Sequence, residues 1–141
     1  MIQRKQRQIE ALEEVKTLLR DANDEIEMIL VEGTRDEDAL RFLGYSGIVE
    51  VCSHIDQTEQ DIAIKLAENV SNVLVLTDFD DKGKMKANRL SDLLEAESVR
   101  VYRDLRRKIG KLMGVLGIKT IESLDNIAKN ASSQFEQFTE L

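Results

Sequence analysis

The stretch Val73–Lys84, VLVLTDFDDKGK, places an apolar run directly before three aspartates, Asp78, Asp80 and Asp81. Successive aliphatic residues are typical of a strand that is buried on both faces of a parallel sheet. Gly83 then permits a tight turn, and a segment with helical spacing follows. A buried strand that ends in carboxylates and turns into a helix predicts one strand–helix unit of an α/β fold.

The same alternation extends along most of the chain. Further apolar runs occur in EIEMILVEG (25–33), GIVEVCS (47–53) and SVRVY (98–102), and segments with helical spacing separate them. Strands that alternate with helices predict right-handed crossovers between parallel strands. The predicted fold class is therefore α/β, with a four-stranded, mostly parallel sheet and helices on both faces.

Local patterns predict how the helices begin and what they bury. Thr34 and Glu37 have the spacing of a capping box at the start of the second helix. In the helix after the aspartates, Asp81 is the expected N-cap. Helical spacing places Met85 and Leu90 on the face of that helix that should point inward.

The two ends of the chain add helices to this core. Apolar residues at helical spacing between Gln8 and Ala22 predict a leading amphipathic helix in residues 1–24, whose apolar face would serve a homodimer or a partner protein. The core is expected at 25–102, C-terminal helices packed on it at 103–131, and a polar tail at 132–141.

Composition limits the class of protein. The 141 residues suffice for one domain with a real core. No apolar run approaches the roughly 18 residues of a membrane span, and the N-terminus lacks the apolar centre of a signal peptide, so a cytoplasmic protein is expected. The single Cys52 excludes an intramolecular disulfide and a cysteine zinc cluster.

Charge is unevenly distributed along the chain. The net charge of -7 argues against a nucleic-acid partner, yet residues 100–119 carry 7 basic side chains and 1 acidic one. Arg103, Arg107 and Lys111 share one helical face. Two interpretations stay open for this segment: contact with nucleic acid, or pairing with the acidic body of the same molecule.

Carboxylates follow two of the predicted strands. Glu32 follows the first strand, and Asp78 and Asp80 follow the third. Ligands of open parallel sheets collect at the carboxyl ends of the strands, near the reversal of strand order, so these acids converge if the two strands are neighbours. Asp78 and Asp80 then point the same way and can share a cation. Mg²⁺, which takes one or two carboxylates and keeps waters for a substrate phosphate, fits this pattern.

These residues carry a resemblance to a known family. ILVEGTRDEDAL (29–40) and VLVLTDFDDKG (73–83) resemble the two signature motifs of the Toprim domain, which topoisomerases, bacterial primases, OLD-type nucleases and ribosomal-RNA maturation ribonucleases share. The resemblance covers roughly residues 25–101. It is nearest to the primase and maturation-ribonuclease branch, and the small free-standing Toprim proteins, mostly archaeal, are similar in size.

The resemblance implies a fold and a set of roles. It implies a Rossmann-like Toprim fold in which Glu32 acts as general acid or base. Asp78 and Asp80 bind Mg²⁺ with or alongside Glu32, with Mn²⁺ as a substitute ion, and Gly33 and Gly83 are the motif's backbone positions. A complete topoisomerase or primase is not expected, because their additional domains have no counterpart here.

Several nearby residues keep two interpretations each. Asp36 either supports the metal site without binding the ion itself, or its negative charge in the first helical turn interacts favourably with the helix dipole. Lys82 stands where some topoisomerases have a third acid, and whether Asp81 replaces that acid is open. Lys82, Lys84 and Lys86 either contact substrate phosphates or are solvated lysines on a helix surface.

The first functional hypothesis is an Mg²⁺-dependent, endonuclease-like enzyme that acts on DNA or RNA. The alternative is a metal- and nucleic-acid-binding module that acts with a partner protein and has no catalysis of its own. A receiver-like domain is a weaker third hypothesis, because such domains have five strand–helix units and this chain runs out of strands after Val101.

Overall fold

The computed structural model describes residues 2–54 and 57–139, and the side chains of residues 3–53 and 57–130. Within this part the strands are β1 (Met28–Val31), β2 (Ile48–Val51), β3 (Asn72–Val75) and β4 (Arg100–Val101). The α-helices described are α1 (Ile2–Glu25), α2 (Thr34–Leu43), α3 (Glu59–Ala67), α4 (Asp81–Ala96), α5 (Arg103–Val115) and α6 (Ile121–Thr139), and a short 3₁₀ helix, Cys52–His54, follows β2.

The four strands form one parallel sheet in the order β2-β1-β3-β4. The predicted α/β fold with a four-stranded sheet is confirmed. β1 and β3 are direct neighbours, with Leu30 opposite Val75. Because the chain moves from β1 outward to β2 and then crosses back to β3, the strand order reverses between β1 and β3.

The two central strands are buried on both faces, because alternate residues point to opposite layers. One layer consists of α1, α2, α5 and α6, and the other of α3 and α4. The first layer covers Ile29, Val31, Leu74 and Leu76, and the second covers Met28, Leu30, Val73 and Val75.

The leading helix finds its partner surface within the same chain. Leu12, Val15 and Leu19 are buried in the core cluster that also contains Ile109 and Met113 of α5. The apolar face that we expected to serve a dimer or a partner protein is therefore largely covered by α5 and α2.

Both predicted N-caps were wrong by one residue. At α2 the N-cap is Gly33, whose N–H donates to the Asp36 carboxylate over 3.1 Å, so no Thr34–Glu37 capping box marks the start. At α4 the N-cap is Asp80, which accepts a 2.7 Å hydrogen bond from the Gly83 N–H. The Asp80 cap leaves Asp81 as the first residue of the helix.

One further prediction needs correction, and the structure adds detail to another. Met85 was expected to point inward, but it is 61% exposed, whereas Leu90 is buried as predicted. The segment expected to be a polar tail is helical as far as it is described, because α6 continues to Thr139; residues 140–141 lie outside the described residues.

No helix in the described part of the chain is both long enough and apolar enough to cross a membrane.

Candidate metal centre

The carboxyl ends of β1 and β3 bring the predicted acids to one edge of the sheet. Glu32 directly follows β1, and Asp78 and Asp80 follow β3 at the reversal of strand order. The negative charges of Glu32, Asp36 and Asp80 all act on Asp78. We call Glu32, Asp78 and Asp80 the acid edge.

Asp78 carries the strongest electrostatic signature of the acid edge. Partial burial raises its pKa, the charges of Asp36, Glu32 and Asp80 raise it further, and Lys86 opposes them, with a result of about 6. A carboxylate whose pKa is raised in this way lacks enough compensating positive charge. The site therefore favours a bound cation.

Glu32 is held by a lysine from the neighbouring helix. Lys86 Nζ lies 3.1 Å from Glu32 Oε2, and each side chain is 27% exposed. Burial disfavours the charge on Lys86, but the hydrogen bond and charge of Glu32, with Cys52 and Glu59, outweigh it and raise the lysine's pKa. Lys86, expected to contact phosphate or solvent, is instead the counter-ion of Glu32.

Asp36 is buried beside the acid edge and bonds to the backbone of two helices. Its Oδ2 accepts from the Gly33 N–H and its Oδ1 from the Glu122 N–H, each over 3.1 Å. Burial raises its pKa although both backbone donors act against the rise. Asp36 thereby joins the start of α2 to the start of α6 and holds the backbone next to Glu32.

The turn between β3 and α4 is fixed by Gly83. A Cβ at this position would lie 2.1 Å from the Asp78 carbonyl oxygen, so a side chain does not fit without a backbone shift. The Gly83 carbonyl also accepts a 3.0 Å hydrogen bond from the buried Thr77 hydroxyl. Gly33 has no such steric requirement, because the nearest atom to its virtual Cβ is Asp36 Oδ2 at 4.0 Å.

Arg106 of α5 holds the same turn from the other side, a role that was not predicted from the sequence. Its guanidinium donates to the carbonyl oxygens of Val75, Thr77 and Asp78 over 3.0, 2.9 and 3.1 Å. It also lies 4.1 Å from the centroid of the Phe79 ring. Burial lowers its pKa to about 10, although the charges of Asp78 and Glu32 oppose the change.

The acid edge suits a hard divalent ion that keeps part of its water shell. Among the described side chains, no three His, Cys, Asp or Glu residues are grouped closely enough to enclose a metal ion. Mg²⁺ does not require such a cage, because one or two carboxylates plus waters suffice. Asp78 is the best candidate ligand, with Glu32 or Asp80 as the second.

A cavity of about 630 Å³ lies between α4 and α5 beside the acid edge. Its basic lining residues define what we call the basic groove: Lys84, Arg103, Arg106, Arg107, Lys111 and Lys119. Four of them were named singly as candidate nucleic-acid contacts, whereas Arg106 and Lys119 were included only as members of the basic segment 100–119. Lys82, also predicted, is exposed and does not line the cavity.

Both interpretations of the basic segment apply to part of it. Arg103 pairs with Asp92 and Glu95 of α4, and Arg107 pairs with Asp104. By contrast, three lysines of the groove form no ion pair with any residue in the described part of the chain: Lys84, Lys111 and Lys119.

Replacing Asp78 with Asn is expected to stabilise the metal-free protein at neutral pH. The pKa of Asp78 is raised in the folded state, so its carboxylate costs stability progressively as the pH rises from about 4 to about 6. The variant should therefore gain on the order of 1 kcal/mol above pH 6 and nothing below pH 4, since solvent screens this half-buried group. Urea unfolding in EDTA at both pH values measures the difference.

The exposed Asp38 of α2 supplies the matched control, Asp38→Asn, whose stability relative to the wild type should not change with pH in this range. If the two variants showed the same change in stability between the two pH values, the electrostatic cost assigned to the Asp78 carboxylate would be contradicted.

Comparisons with known proteins agree with this architecture. The family described as "Toprim domain" matches residues 27–103. The UPF0292 protein of Thermococcus sibiricus is 39% identical over 113 residues, which are 80% of this chain and 84% of that protein. The UPF0292 protein of Methanosarcina barkeri is 30% identical over 118 residues, which are 84% of this chain and 80% of that protein. These relatives are therefore small proteins of similar size.

A solved structure of an Aquifex aeolicus protein superposes with a TM-score of 0.61 and 26% sequence identity. The match covers 81% of this chain and 94% of the other.

Proposed function

Since this chain belongs to the Toprim domain family, whose function relates to divalent metal ions and nucleic acids, we propose that it is an Mg²⁺-dependent enzyme that cleaves phosphodiester bonds. One observation carries the proposal: Glu32, Asp78 and Asp80 follow two neighbouring strands at the reversal of strand order, where burial and the charges of Asp36, Glu32 and Asp80 raise the pKa of Asp78. Parallel sheets bind their ligands at this edge.

Each acid has a separate task in the proposed reaction. Asp78 and Asp80 would hold the Mg²⁺ ion, which would supply electrostatic stabilisation of the charge that develops on the phosphate. Glu32 moves a proton at the scissile phosphate as general acid or base. Lys86 keeps the Glu32 carboxylate in place between reactions, through the 3.1 Å contact of its Nζ with Oε2.

A second candidate function is a metal- and nucleic-acid-binding module that a partner protein completes. The ion pair between Glu32 and Lys86 favours it, because a carboxylate engaged by a lysine is not free to move a proton. The lack of a three-acid group among the described side chains also favours a weak metal site that needs further ligands.

A cleavage assay separates the two candidates. Single-stranded DNA, duplex DNA and structured RNA are each incubated with the protein and Mg²⁺ or Mn²⁺, and a parallel series contains EDTA. We expect metal-dependent cleavage of at least one substrate. If none of the three substrates is cleaved but binding is retained, the protein acts as a binding module, which is the second candidate function.

The double variant Asp78→Asn, Asp80→Asn tests whether the acid edge is responsible. Asn caps helices about as well as Asp, so the variant keeps the hydrogen bond from the Gly83 N–H while it loses both negative charges. Cleavage should fall to background, and Asp38→Asn should leave it unchanged. Activity that persists in the double variant would exclude the acid edge as its source.

A further inference from the structure

We propose that the basic groove binds single-stranded nucleic acid and leads one phosphate of the strand to the acid edge. The groove residues on α5, and Lys119 after it, lie almost entirely beyond residues 27–103, the part that matches the Toprim domain family. The position of the scissile phosphate rests on the proposed function, whereas binding in the groove does not.

The groove concentrates positive charge on an acidic molecule. Six of its lining residues are basic and none is acidic, although the chain carries a net charge of -7. Negative charge on a ligand strengthens its binding in the groove, whereas the acidic surface elsewhere on the molecule repels the same charge. This contrast favours a polyanion that follows the groove over one that spreads across the whole surface.

Three lysines are available for such a ligand. Lys84, Lys111 and Lys119 are exposed and form no ion pair among the residues described, so a phosphate does not have to displace an existing partner. Arg103 and Arg107 are already paired with acids, and Arg106 is occupied by the carbonyls behind the acid edge. We therefore expect about three phosphate contacts.

The groove and the acid edge share a wall. Phe79, between Asp78 and Asp80 in the chain, lines the groove, and its N–H donates to the Lys119 carbonyl over 2.8 Å. Lys84 lies in the first turns of α4, the helix that Asp80 caps. A strand whose phosphates contact Lys119 and Lys84 therefore passes along the turn that carries Asp78 and Asp80.

The size and lining of the groove favour a single strand. A volume of about 630 Å³ is in the range of pockets for one small ligand, which leaves room for about two nucleotides of a single strand but not for the full width of a double helix. No stacking platform is evident in its lining, because Arg106 covers the Phe79 ring. Binding should therefore be electrostatic and independent of base sequence.

Fluorescence anisotropy with a short labelled oligothymidylate, in EDTA and over a series of salt concentrations, tests the inference. For three contacts, the logarithm of the association constant should fall with the logarithm of salt concentration with a slope of about -2. The variant Lys84→Gln, Lys111→Gln, Lys119→Gln should lose at least about tenfold in affinity and most of this slope.

The control variant Lys5→Gln, Lys16→Gln, Lys65→Gln changes the net charge equally and should bind like the wild type. Equal losses in both variants, or no loss in the groove variant, would overturn the inference. So would duplex binding as tight as that of the single strand, or displacement of the oligomer by thymidine monophosphate at equal concentration, which would indicate a site for free nucleotides.

Failure of the inference and failure of the proposed function give different results. Binding in EDTA that depends on the groove, without any metal-dependent cleavage, supports the groove and contradicts the nuclease. Cleavage that the acid-edge variant abolishes, while the groove variant retains its KM, supports the nuclease and contradicts the groove.

Discussion

The substitution Glu32→Gln is expected to reduce phosphodiester cleavage by about 10²–10⁴-fold, the range that one general acid or base contributes. Glutamine keeps the shape of the side chain but exchanges no proton at neutral pH. The Lys86 contact becomes an ordinary hydrogen bond, and because both side chains are 27% exposed, the stability should change by less than about 1 kcal/mol. Single-turnover rates with saturating metal measure the catalytic effect.

A second measurement distinguishes the loss of proton transfer by Glu32 from a disruption of the whole acid edge. Since the charge of Glu32 is one of the causes that raise the pKa of Asp78, the variant should lower that pKa. An NMR titration of Asp78 in metal-free buffer shows the shift. The exposed Glu68 provides the control, Glu68→Gln, with the wild-type rate and the wild-type titration. Cleavage by Glu32→Gln at the wild-type rate would refute the proposed role.

The substitution Gly83→Ala is expected to destabilise the protein by about 3 kcal/mol, in the upper range of overpacking effects. The added Cβ would lie 2.1 Å from the oxygen and 2.6 Å from the carbon of the Asp78 carbonyl, which are backbone atoms that Arg106 also binds. Relief of the clash must move the turn, and the turn carries Asp78 and Asp80. The melting temperature should fall by roughly 10 °C.

Gly114→Ala is the matched control for this experiment. Gly114 lies within α5, and apart from its chain neighbours and the backbone of its own helix, no atom lies within 4 Å of its virtual Cβ. Alanine favours helices over glycine by about 1 kcal/mol, so this variant should be as stable as the wild type or slightly more stable. A Gly83→Ala protein with an unchanged melting temperature would show that the turn adapts without cost.

The sequence predicted the sheet well because the physical signals for it are local. Apolar runs at 28–31 and 73–76 belong to buried parallel strands or continue them, and each run is followed within two residues by a carboxylate. Parallel connectivity then places those carboxylates at the same edge. The prediction that the acids converge required β1 and β3 to be neighbours. The structure shows that these two strands pair directly.

Contacts between distant parts of the chain were harder to predict. Lys86 is 54 positions from Glu32, and nothing in a lysine on a helix indicates which carboxylate it will reach. Arg106 gave one usable signal: it precedes the buried Ile109 and Met113 by three and seven positions, which places it on the apolar stripe of α5. A charged residue on such a stripe must find buried partners, here the carbonyls of the acid turn.

The error at Met85 has a different cause. Helical spacing assigns residues to a face only relative to each other, and the direction of that face depends on which residues the sheet covers. α4 buries Ala87, Leu90 and Leu94, and this stripe leaves Met85 outside at 61% exposure. The hydrophobicity of Met85 gave no warning, because single exposed apolar side chains are common.

The packing of α1 imposes an order on the folding of this protein during its synthesis. α1 leaves the ribosome before the strands of the sheet, but much of its apolar face, Leu12, Val15 and Leu19, is buried in a cluster with residues of α5, which follows the last strand of the sheet. This face cannot complete its packing until the whole sheet and α5 have been translated. During synthesis α1 therefore keeps part of its apolar face uncovered until α5 has been translated, and the closing of α1 over the sheet follows the formation of α5.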